Sequence, residues 1–61
     1  MYRLNMQIGA LMQHVIFSDN ASAMNALTKI YKGKQEGWKS CPINDSVLVD
    51  PNAVLFAEVK P

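Results

Sequence analysis

The 61-residue chain holds a single cysteine, Cys41, and a single histidine, His14. One cysteine excludes an intrachain disulfide. One cysteine with one histidine falls short of the ligand set of a structural zinc site. Two common staples of very small domains are therefore missing, which leaves a dense core or a partner subunit to supply stability. Glycine is also scarce. The three that occur are not clustered, so no phosphate-cradling loop or dinucleotide fingerprint can be read, and no EF-hand loop is present. Arginine appears once, as Arg3, and the formal net charge is +1. That balance speaks against bulk nucleic-acid binding, which leaves a strongly basic footprint, and a nearly neutral surface favours association. No apolar run is long enough to span a bilayer. Asn5, Gln7 and Gln13 interrupt the stretch after Arg3, so no secretory signal is read. The expectation is a cytoplasmic protein without membrane contact, with Cys41 reduced. Two matches to the glycosylation acceptor pattern, at Asn20 and Asn44, are then chance.

What is present suits a globular domain. Hydrophobic residues make up 49% of the chain, which excludes a disordered tail. Tyr2, Leu4, Met6 and Ile8 alternate with Arg3, Asn5 and Gln7, the period of a strand with one wet face. Gly9-Ala10 reads as a turn or bulge, and Val15-Ile16-Phe17 as a buried strand, so residues 2–17 form a hairpin. A helical stripe over Leu4, Ile8, Leu11 and Val15 competes with this reading. It would put Gly9 in mid-helix at a cost of about 1 kcal/mol relative to alanine, so the hairpin is preferred.

Ser18, Asp19 and Asn20 are N-cap residue types. Ala23, Met24, Ala26, Leu27, Ile30 and Tyr31 then share one helical face, and Gly33 has the chemistry of a C-terminal stop. A helix over about Asn20–Lys32 follows. Short strands are expected at Trp38–Cys41, stopped by Pro42, and at Val47–Val49. A turn at Asp50-Pro51-Asn52 precedes a last strand over Val54–Val59. The class is α+β, a single domain over residues 1–61 in the order β-β-α-β-β-β, with one helix packed on an antiparallel-leaning sheet.

Val54 and Phe56 make a second apolar face on the last strand, opposite Leu55, Ala57 and Val59, and Val15-Ile16-Phe17 is apolar on both sides as well. One helix cannot cover both faces of a sheet. A homodimer through Phe17, Val54 and Phe56 supplies the second layer more readily than a sheet curled on itself.

Chemistry-bearing groups are few. His14 and Cys41 form a thiolate–imidazole pair only if the fold joins them, and Cys41 beside Pro42 reads as a buried, inert thiol. Asp19, Asp45 and Asp50 have caps and turns to serve, and Glu36 and Glu58 read as solvated. No catalytic residue, cofactor or metal is expected. The one uneven feature is Lys29, Lys32, Lys34 and Lys39 with Tyr31 and Trp38 interleaved. The plain reading is a solvated helix end with Trp38 as a core anchor. As a site, the segment suits recognition of a protein partner. The leading expectation is a non-catalytic protein-interaction module, an accessory subunit or small inhibitor of a larger protein. The alternative is a small nucleic-acid-binding protein using the same segment, through stacking and phosphate pairing.

Overall fold

The computed structural model describes residues 1–61. β1 (Tyr2–Ile8) and β2 (Leu11–Phe17) form the expected hairpin, in register from Tyr2 opposite Phe17 to Ile8 opposite Leu11. Gly9, at φ 59°, supplies the positive φ that a two-residue hairpin turn demands at its first central position. α1 (Asn20–Glu36) follows, then β3 (Cys41–Pro42), β4 (Leu48–Val49), a 3-10 turn at Pro51–Ala53 and β5 (Val54–Lys60). The order is β-β-α-β-β-β. The strands divide into a three-stranded antiparallel sheet, β2-β1-β5, and a separate two-stranded ladder, β3-β4.

The helix begins where the cap chemistry places it and ends four residues later than expected. Asp19 accepts from the backbone N–H of Ser22 at 2.7 Å, which satisfies one of the free donors of the first turn. The stop is Gly37, in the left-handed region at φ 72°, and not Gly33. Gly33 lies inside the helix because Pro51 and Trp38 press on it, and a Cβ there would meet Pro51 Cγ at 2.6 Å. The glycine serves close approach and leaves the termination to Gly37.

The core lies between α1 and one face of the three-stranded sheet. Leu4 and Met6 of the central strand, Val15, Ala57 and Val54 meet Ala26 and Ile30 of the helix. The β3-β4 ladder closes the side of this core with Cys41, Ile43 and Val49. It is shorter than the sequence suggested, and Pro42, expected to stop a strand, pairs with Leu48 within it. Asn44 Oδ1 accepts from the N–H groups of Ser46 and Val47 and builds the tight loop that joins the two.

One register feature rearranges the last strand. Ile8 pairs with Val54 but Gln7 pairs with Phe56, so Leu55 is an extra residue, a β-bulge. The bulge turns Val54 to the helix side, where it is 1% exposed. It therefore offers no surface to a second copy, contrary to the expectation from strict alternation. Phe17 is likewise opposite Tyr2 on the helix side and packs against the core. Of the three residues assigned to a dimer interface, only Phe56 stands on the uncovered face. It shares its row across the sheet with Gln7 and the exposed Met12, and Leu55 beside it in the chain is exposed as well.

Candidate functional site

Alternation across the three strands places Arg3, Asn5, Gln7, Met12, His14, Ile16, Phe56, Glu58 and Lys60 on the face away from the helix. They form three rows. Ile16, Arg3 and Lys60 make the first, His14, Asn5 and Glu58 the second, and Met12, Gln7 and Phe56 the third. One end of the face is basic and the other apolar. Met12, Ile16 and Phe56 are 65%, 47% and 51% exposed. Lys60 and Glu58 approach to 3.8 Å, an exposed pair of the kind that contributes little. His14 and Glu58 are separated by the whole of β1, about 10 Å at two strand spacings. They do not act as an acid–base pair in this arrangement.

The lysine segment does not form one patch. Lys32 stands over the Trp38 ring at 6.0 Å from its centroid. Lys34, two positions on and so on the opposite side of the helix, donates to the carbonyl of Val54. Lys29 lines a groove of about 350 Å³ between the helix and residues 43–45, with Asn25, Asn44 and Asp45 at its polar side and Phe17 and Ile43 at its apolar side. Lys39 is exposed in the loop after the helix. Trp38 is half-buried, packed on Gly33, with its indole N–H donating to Glu36 at 3.3 Å and its carbonyl accepting from Asn52 at 2.8 Å. The structure brings together Lys32 and Trp38 and distributes the other three lysines around the helix and its exit.

His14 and Cys41 are not joined. His14 is exposed on the uncovered face, while Cys41 is 0% exposed in the core between helix and sheet. Burial pushes the Cys41 thiol up, and the ammonium of Lys29 opposes this in part. A thiol held neutral is a poor nucleophile. No three His, Cys, Asp or Glu side chains converge as a metal site would require. No helix is long and apolar enough to cross a membrane. Comparison with protein-family models, with curated proteins and with solved structures gives no match.

The uncovered face was legible only in outline. Two-sided apolar strands announced it, but its membership depends on the bulge at Leu55, which no local pattern marks.

Proposed function

We propose that the chain is a non-catalytic protein-interaction module, an accessory subunit or inhibitor, that docks on another protein through the uncovered face of its three-stranded sheet. The observation that carries this reading is the one-sided placement of the helix, which leaves one sheet face open, with Met12 and Phe56 exposed in the row at one end and Ile16 exposed beside Arg3 at the other. The basic end, with Arg3 and Lys60, fits a partner whose apolar patch is bordered by carboxylates. The nucleic-acid alternative has less support. It needs a free aromatic platform beside clustered cations, whereas Trp38 is packed on Gly33 and the lysines are dispersed.

The test is paired capture from the native host. Phe56→Glu and Met12→Glu place charge on the face without entering the core. A partner retained by the wild type and by Lys32→Glu/Lys39→Glu, but lost by the two face variants, is the expected result. A partner that persists with the face variants and disappears with the lysine variant would return recognition to the helix exit.

A further inference from the structure

The two edges of the three-stranded sheet are treated differently. On β5, the side chains of the helix reach over and occupy carbonyls. Tyr31 Oη donates to Ala57 at 3.3 Å, and Lys34 Nζ donates to Val54. On β2 nothing comparable occurs. No hydrogen bond outside the β1-β2 ladder involves the backbone of residues 11–17. Natural edge strands are blunted with lysine, proline, a bulge or very short length. β2 is seven residues, Leu-Met-Gln-His-Val-Ile-Phe, with no lysine, no proline and an unbroken register.

The two-residue turn makes Ile8 and Leu11 the first hydrogen-bonded pair, so Leu11, Gln13, Val15 and Phe17 direct their backbone groups to β1. Met12, His14 and Ile16 direct theirs to the open edge. We propose that this edge pairs antiparallel with β2 of a second copy, about a two-fold axis that passes between the two His14 residues. That register engages every outward residue. His14 pairs with His14 of the other copy, and Met12 pairs with Ile16 on each side of the axis, each pair exchanging two N–H···O bonds. Side chains agree with it. Met12 falls beside Ile16 on the uncovered face, and Leu11 beside Phe17 on the helix side, so four apolar residues of each strand find apolar cross-strand neighbours, while Val15 falls beside Gln13. The axis stands perpendicular to the sheet, so both helices lie on one side and the two uncovered faces merge. Because β5 is capped, growth stops at two copies.

This interface lies at the edge and not on the face, so it stands or falls separately from the docking surface proposed above. Sedimentation equilibrium over a wide concentration range, with residue-resolved amide exchange, tests it. The expected result is a species of twice 6.8 kDa in which the amides of Met12, His14 and Ile16 gain protection as concentration rises. Chemical synthesis with an N-methylated His14 backbone removes one outward donor from each copy and leaves the β1-β2 bonds intact. It should raise the dissociation constant at least tenfold, and His14→Pro should do the same if it folds. Phe56→Glu should leave the mass unchanged. A monomer at millimolar concentration overturns the proposal. So does a dimer that survives N-methylation, one whose Met12, His14 and Ile16 amides exchange freely, or assembly beyond two copies.

Discussion

Gly33 and Pro51 touch where a side chain would otherwise stand. The missing Cβ would lie 2.6 Å from Pro51 Cγ and 3.0 Å from Trp38 Cε3. Pro51 is buried and its ring is rigid, so neither the ring nor the helix backbone can give way cheaply. Gly33→Ala gains about 1 kcal/mol of intrinsic helix preference. It loses about 1–3 kcal/mol to overpacking. The net expectation is a lower urea midpoint, with the intensity of Trp38 fluorescence reporting the displaced ring. Gly37→Ala tests the other glycine. It forces alanine into the left-handed region at φ 72° without any clash, so it should cost about 1–2 kcal/mol through backbone conformation alone.

Cys41 should behave as a core residue. In the native protein its thiol is expected to resist alkylation at neutral pH, and to react at the ordinary rate once denatured. Its folded pKa is raised, chiefly by burial, so the unfolded chain ionises first as pH rises. Stability is therefore unaffected below the ordinary thiol range and falls with pH above it. Urea titrations between pH 7 and 10 on the wild type and on Cys41→Ala measure this, and the slope that disappears in the variant belongs to the thiol.

Asp19 gives the opposite sign. The N–H of Ser22, then the Ser22 hydroxyl, hold its carboxyl below the usual range. The stability of this cap is complete above the carboxylate's unfolded pKa and is lost as pH falls through the lower folded value. Asp19→Ala should lower the thermal midpoint at neutral pH and flatten the acid limb. Asp19→Asn should keep much of the cap while removing the pH dependence, because an amide oxygen also accepts from Ser22.

The cap on β5 predicts a change in behaviour as well as in stability. Tyr31→Phe removes a hydrogen bond to the strand edge at an expected cost of about 0.5–1.5 kcal/mol. Tyr31→Phe with Lys34→Met exposes both carbonyls. Light scattering on warming should then show aggregation at lower temperature than in either single variant, since an uncovered strand edge recruits other chains.

Local signals proved legible where the cause is local. The alternation from Tyr2 to Ile8, the turn at Gly9 and the cap at Asp19 depend on neighbours a few residues away, and all appear in the structure. The misreadings share a different cause. Gly33 looks like a stop because its real partner, Pro51, arrives from the far side of the β3-β4 ladder. Val54 looks like a surface residue because the bulge that turns it inward exists only against β1. The lysine cluster looks like a patch in linear order, yet helical geometry sends Lys32 toward Trp38 and Lys34 toward β5. Functional surface was therefore less readable than fold. Its membership depends on contacts between the two ends of the chain.

Within residues 1–61 the central strand of the sheet, β1, precedes every other element, and one of its two neighbours, β5, follows them all. During translation β1 can pair only with β2, and Leu4 and Met6 must wait for Ala57 and Val59 to leave the ribosome. The pairing of greatest sequence separation is also the one that completes the core, which slows folding relative to a chain closed by local contacts. A nascent chain halted before β5 would present a two-stranded ribbon and a helix with little to hold them together. The pairing of β5 with β1 thus ties residues from opposite halves of the sequence into one core, so neither half holds that core without the other.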